Sequence, residues 1–203
     1  NFSKVLELYQ DKFYSNKYKD LVNEVLLKET KFFKDEIELP LTRKIALTLF
    51  RLMRYKDEYE VARLHTSGDF AKQFLFNNKD AKLEYYLAPP LFSKIDKDTG
   101  HLQKKRFGSW VFKAFKILSN FKFLRGTRFD LFGYTIERKS ERALVEKTIN
   151  TTIAITKNLD QNNRKKILEF LEIPLSIKGY GHVKEKNIMI AESKWDISLD
   201  KIV

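Results

Sequence analysis

Residues 39–65 read LPLTRKIALTLFRLMRYKDEYEVARLH, and this stretch sets the fold class. Pro40 opens it, and proline is tolerated in the first turn of a helix, where its missing N–H has no intrahelical partner to lose. Apolar side chains then recur at Ile45, Leu49, Leu52 and Met53 with charges between them, one face of a 3.6-residue period. The spacing predicts a helix running from Pro40 towards His65.

Working outward gives more of the same. On the N-terminal side Val5, Leu8, Tyr9, Phe13, Leu21, Val25, Leu26 and Phe32 keep helical spacing, as two helices or one bent one. On the other side, Ser67 or Asp69 can cap a short helix in SGDFAKQFLFNN. The texture changes at KLEYYLAPPLF, where an aromatic run from Lys82 to Ala88 is stopped by Pro89 and Pro90 and reads as a strand ending in an extended turn. The turn residues of DKDTG let the run to Phe107 return as a second strand or stay a loop, giving a strand or hairpin around 82–107. SWVFKAFKILSNF is helical again. Its Trp110, Phe112, Ala114, Phe115, Ile117 and Leu118 wrap more than one face and predict a largely buried helix. Residues from about Thr135 to Leu159 form a long helix with Arg142 and Glu146 one turn apart. DQNNRKKILEFLEI reads as a capped helix ending at Pro174, and a terminal helix follows Gly179-Tyr180-Gly181. No repeat, low-complexity linker or shift in composition marks a boundary. Residues 1–203 are therefore expected to form a single, mainly α domain with one small β element.

Composition agrees. A chain of 203 residues with 43% hydrophobic residues, seventeen Phe and nine Tyr can bury a core. It opens on Asn1 rather than Met and is read as a piece of something longer. The absence of cysteine excludes disulfides, thiolate metal sites, a cysteine nucleophile and any iron–sulfur cluster held by this chain alone. No apolar run approaches the roughly 20 residues that span a bilayer, and NFSKVLELYQDKF is a charged amphipathic stretch rather than a signal peptide. A cytoplasmic protein without a membrane partner is expected. The formal net charge of +12 favours anionic partners in general, whether nucleic acid, acidic protein or a phosphate-bearing ligand.

Cofactor motifs are mostly missing. GYGHVK has the first two glycines of a dinucleotide turn, but Lys184 takes the place of the third and no strand precedes it. There is no GxxxxGK[ST] and no GxSxG. The Gly-Asp-Gly and later Asn-Asn of a thiamine pyrophosphate site are not reproduced by SGDF and Asn77-Asn78. His65, His101 and His182 lack metalloprotease spacing and read as structural or surface residues. No catalytic residue and no metal ligand is assigned. What remains is basic: from His101 to Arg142, Lys104, Lys105, Arg106, Lys113, Lys116, Lys122, Arg125, Arg128, Arg138, Lys139 and Arg142 face only Asp130, Glu137 and Glu141. With rings interleaved, such a patch can neutralise and stack single-stranded RNA. No RRM or KH pattern accompanies it, so an RNA-binding protein stands behind the other readings.

Five blocks, taken together, are more specific than any motif alone: YEVARLHT (Tyr59–Thr66), YLAPPLF (Tyr86–Phe92), TGHLQKKRFGSW (Thr99–Trp110), LRGTRFDLFGYTIERKSER (Leu124–Arg142) and GYGHVKEKN (Gly179–Asn187). In order and spacing they resemble the C-terminal domain of the fused indolepyruvate ferredoxin oxidoreductase family, over a recognisable core of about 58–191. Two positions depart from that family's pattern: Tyr86 stands where it has His in an HLAPP segment, and Ser109 where it has Pro in FGPW. A chemical role for that His would be lost here. The resemblance implies an enzyme that oxidatively decarboxylates aryl- or branched-chain 2-oxo acids to acyl-CoA. It would use thiamine pyrophosphate, Mg²⁺, [4Fe-4S] clusters and coenzyme A, and pass electrons to ferredoxin. The thiamine and cluster motifs lie in other modules, on the same or a separate chain, which would be this domain's partners. Its own part would be accessory and architectural.

Two readings of the Leu124–Arg142 block stay open. In the structural one, Gly126 and Gly133 bracket a turn floored by Phe129 and Phe132, Asp130 is a further structural motif position, and Tyr134 leads into a helix where Glu137, Arg138, Glu141 and Arg142 exchange charge pairs. Gly108, Trp110, Pro89, Pro90 and His182 are further structural motif positions. In the sharper reading, Arg125, Arg128, Arg138, Lys178 and Lys184 bind the phosphates of coenzyme A or another anion. The backbone N–H groups of Gly179 and Gly181 would assist at a helix start.

Overall fold

A computed structural model of the chain describes residues 1–34, 36–67, 84–88, 103–200 and 202. The helices are α1 (Phe2–Tyr9), α2 (Lys12–Phe32), α3 (Pro40–Met53), α4 (Glu58–Thr66), α5 (Trp110–Asn120), α6 (Ile136–Asn158), α7 (Arg164–Phe170), α8 (Glu172–Ser176) and α9 (Gly181–Leu199). A 3₁₀ turn, Phe121–Leu124, continues α5. Strands β1 (Tyr85–Leu87) and β2 (Lys105–Phe107) pair antiparallel, with Tyr86 opposite Arg106. Among the described residues the fold is mainly α with one two-stranded sheet, the class the periodicity predicts. The described residues gather into two compact units, the first from 1–55 and 134–203, the second from 56–133.

The first unit is built on α2, α3, α6 and α9. Leu41, Ile45, Leu49 and Leu52 of α3 are buried together with Tyr18, Leu21 and Val25 of α2, Leu144, Val145, Ile149 and Ile155 of α6, and Ile188, Ala191 and Trp195 of α9. Much of α6's inward face is threonine. The hydroxyls of Thr148, Thr152 and Thr156 donate to the carbonyls four residues back, at 2.7–2.8 Å, so small polar side chains are buried with their donors satisfied. The indole of Trp195 donates to Thr151 Oγ1 at 3.1 Å and meets Phe170 edge to face. In the second unit a smaller core joins Ala62, Tyr85, Val111 and Phe115, with Leu87, Phe107 and Phe112 packed against it.

Four expectations need correction. The helix predicted from Pro40 to His65 breaks at Arg54–Asp57. Tyr9 and Tyr14 donate their hydroxyls to the carbonyls of Tyr55 and Met53, satisfying acceptors that the end of α3 leaves open. Asp57 then starts α4 by accepting from the Glu60 N–H at 2.8 Å. The capped helix expected to end at Pro174 stops at Phe170 instead, and Pro174 is the third residue of α8, where an amide donor is not required. Helix α5 is not largely buried: Val111 and Phe115 point inward, while Trp110 and Ile117 are 61% and 62% exposed. The floor of the Gly126–Gly133 turn is Phe132 alone, since Phe129 lies outside, 74% exposed. The helix predicted in SGDFAKQFLFNN, the Pro89-Pro90 turn and His101 lie outside the described residues.

Candidate functional site

Leu124–Gly133, the first part of the Leu124–Arg142 block, forms a stapled corner in the second unit. Arg125 is buried, and its Nε and Nη2 donate to the two oxygens of Asp57 at 2.5 and 2.8 Å. This is a planar bidentate pair, and Asp57 is the same residue that caps α4. The guanidinium lies 5.6 Å from the centre of the Tyr59 ring. The Tyr59 hydroxyl donates to Asp130 Oδ1 at 3.2 Å, and Asp130 also accepts the backbone N–H groups of Gly126 and Gly133. Burial, then the charge of Asp130, push the Tyr59 hydroxyl well above its ordinary pKa, so it stays a donor. Phe132 meets the Tyr59 ring edge to face at 5.4 Å. Gly126 has φ +77°, a conformation that suits glycine at this tight turn. Arg125, Asp130, Tyr59 and Phe132 thus tie the loop to the first turn of α4.

The glycine pair and its neighbours lie in the first unit. Lys184 is buried on α9 and donates to Glu141 Oε2 of α6 at 2.5 Å. Gly179 has φ +96°, and a Cβ there would stand 2.8 Å from the Val183 side chain, so glycine is required for the close entry into α9. Lys178 is exposed, and its carbonyl accepts from the Asn187 side chain. Arg138 is buried and lies 3.7 Å from Glu137, while Thr135 caps α6 through the Arg138 N–H. Arg142 is half-buried, and Tyr134 and His182 are exposed. Of the cations proposed for phosphate binding, Arg125 and Arg128 belong to the second unit and Arg138, Lys178 and Lys184 to the first. Arg125 and Lys184 are each neutralised internally by a carboxylate. Of the structural motif positions, Gly108 precedes α5, which starts at Trp110.

The rest of the described surface concentrates little chemistry. An open groove of about 490 Å³ in the first unit is lined by Glu146, Lys147, Asn150, Thr151 and Asp196, with Lys147 and Asp196 paired at 3.0 Å. Among the described residues no three His, Asp or Glu side chains are placed to hold a metal ion, and no helix is long and apolar enough to cross a membrane.

His65 packs against the rings of Tyr85 and Phe115, with centroids 5.7 and 5.5 Å away. Partial desolvation by these rings, and then the charge of Lys56, lower its pKa from the ordinary 6.5. A histidine whose folded value is depressed contributes stability that is present above the unfolded value and lost as pH falls through the folded one. We expect the second unit to weaken as pH drops from about 6.5, and His65→Phe to flatten that dependence. An NMR titration of the imidazole with a midpoint at or above 6.5 would show the expectation to be wrong.

The geometry defines a mainly helical fold in which Arg125, Asp130, Glu141 and Lys184 are turned inward to hold its own loops and helices, while Arg128 and Lys178 stay exposed. The chain belongs to a family of unknown function, DUF6537, whose profile matches residues 3–197. No curated protein and no solved structure matches it.

Proposed function

We propose that the chain is an accessory, architectural domain of a 2-oxo acid:ferredoxin oxidoreductase of the indolepyruvate type, which works in the cytoplasm and converts aryl- or branched-chain 2-oxo acids to acyl-CoA. The likeness of five sequence blocks supports the assignment. One observation supports an architectural part within it: five ionisable residues of those blocks, Tyr59, Arg125, Asp130, Glu141 and Lys184, are buried and bonded within the fold. A side chain held in this way serves as part of a scaffold. The residues present do not fit an iron–sulfur cluster, because the chain has no cysteine. Clusters, thiamine pyrophosphate and Mg²⁺ are assigned to the catalytic modules, which also face ferredoxin.

The test is reconstitution. Modules carrying the thiamine and cluster sites are expressed with and without this chain, and co-elution and 2-oxo acid-dependent ferredoxin reduction are measured. The chain is expected to co-elute, to be inactive alone, and to raise the yield of assembled, active enzyme. Failure to co-elute, with full activity in its absence, would remove the proposal. Calorimetric titration of coenzyme A into the chain, with ATP and phosphate as controls, checks the anion-site alternative. Saturable binding that prefers coenzyme A and disappears in Lys184→Glu without unfolding would favour that alternative.

A further inference from the structure

Helix α5 has an outward side that the described residues of its unit leave exposed. Trp110 and Ile117 lie there, and Phe121 and Phe123 of the following 3₁₀ turn extend the strip, 44% and 56% exposed. With half-buried Ala114 the apolar positions run 110, 114, 117, 121. Their separations of four, three and four residues are those of a helix seam that receives a second helix. Two ring contacts brace its ends: Phe107 on Trp110 at 6.0 Å and Phe121 on Phe123 at 6.2 Å. Large rigid rings lose little entropy on being covered, which is why such side chains anchor interfaces.

The flanks carry one sign of charge. Lys113 and Lys116 are exposed beside the seam and form no ion pair with any described residue. From Lys104 to Gly133 the sequence has eight basic residues, Lys104, Lys105, Arg106, Lys113, Lys116, Lys122, Arg125 and Arg128, against Asp130 alone. Arg125 and Asp130 are both buried, so the field outside is cationic. A second copy of this chain laid on the strip would bring lysines against lysines. Single-stranded nucleic acid needs a succession of planar rings, whereas the middle of this strip is Ala114 and Ile117.

We infer that the outward strip of α5 is a docking site for an amphipathic helix whose apolar seam is flanked by glutamate or aspartate. This rests on the architectural reading above and gives it a surface and a partner chemistry. The chain's other tryptophan, Trp195, is fully buried, so Trp110 reports the strip by its emission. The full 203-residue chain is titrated with three probes: a synthetic three-heptad peptide with leucine seams and Glu flanks, its Lys-flanked twin, and an oligouridine. The Glu-flanked peptide is expected to saturate with a blue shift of Trp110. Affinity should fall at least about tenfold in Ile117→Glu and in Lys113→Glu/Lys116→Glu, with circular dichroism unchanged because all three residues are exposed. Equal binding of the twin, preference for oligouridine, undiminished affinity in Ile117→Glu, or no binding overturns the inference. The two proposals also separate in the reconstituted enzyme. If Ile117→Glu loses the peptide but still co-elutes with the catalytic modules, the strip is not the docking site and the architectural reading stands. If wild type binds the peptide but never co-elutes, the architectural reading falls and the strip keeps its ligand.

Discussion

Glu29→Ala is expected to destabilise the first unit by about 3–5 kcal/mol. Glu29 lies one turn before the end of α2 and is fully buried. Its Oε1 accepts the Leu41 N–H at 3.0 Å, and its Oε2 accepts the Thr42 N–H and hydroxyl, both at 2.7 Å. Those amides are the open donors of α3's first turn. The residue in the cap position is Leu39, which has no side-chain acceptor, and Pro40 brings no N–H. Glu29 supplies from a neighbouring helix the cap that α3's own sequence lacks, and its carboxylate faces the positive end of the helix dipole. Alanine would remove the acceptor of two first-turn amides, that of buried Leu41 and that of half-buried Thr42. Glutamine keeps an acceptor oxygen and should fall between alanine and wild type. Amide exchange at Leu41 and Thr42, read alongside urea unfolding, tests this. A loss below about 1 kcal/mol, the size of an ordinary exposed cap, would refute it.

Asp57→Ala is expected to cost the second unit about 3–5 kcal/mol, because it strands the buried Arg125 guanidinium and removes the cap of α4. Asp57→Ala/Arg125→Met should then be milder than Asp57→Ala alone, since a flexible apolar chain replaces an uncompensated charge. The remaining deficit is set by the lost cap, about 1 kcal/mol. Each variant is best followed by exchange of amides within its own unit, because two compact units need not unfold in one step. Additive effects in the double variant would show that Asp57 and Arg125 do not depend on each other.

The long helices were legible because their inward faces repeat every three or four residues, as Leu41, Ile45, Leu49 and Leu52 do. The break before α4 was hidden because Tyr55 and Tyr59 carry the apolar pattern straight through it. Asp57 followed by Glu60 was the available signal of a new helix start. The inward role of Glu29 had a trace in its register, four residues after buried Val25. Its partners, twelve and thirteen residues on, were not readable. The same distance problem governed the candidate site. The basic cluster was visible, but Asp57 lies 68 residues before Arg125 and Glu141 lies 43 before Lys184. A cation promised to a remote carboxylate looks, in sequence, like one waiting for a ligand. Helix α5 was misjudged for another reason: apolar residues on both sides of a helix fit a buried helix and a half-exposed one equally, and periodicity does not distinguish the two.

The order in which the two units are encoded sets an order for their birth. The second unit is one continuous stretch, 56–133, and its core residues Ala62, Tyr85, Val111 and Phe115 are all translated before Tyr134. The first unit is split around it. When α3 leaves the ribosome, the residues that will cover its apolar side on α6 and α9 have yet to be translated. At ordinary elongation rates the wait lasts on the order of ten seconds. During that interval α1, α2 and α3 carry Leu21, Val25, Ile45 and Leu49 without their later partners, a period in which a chaperone has something to hold.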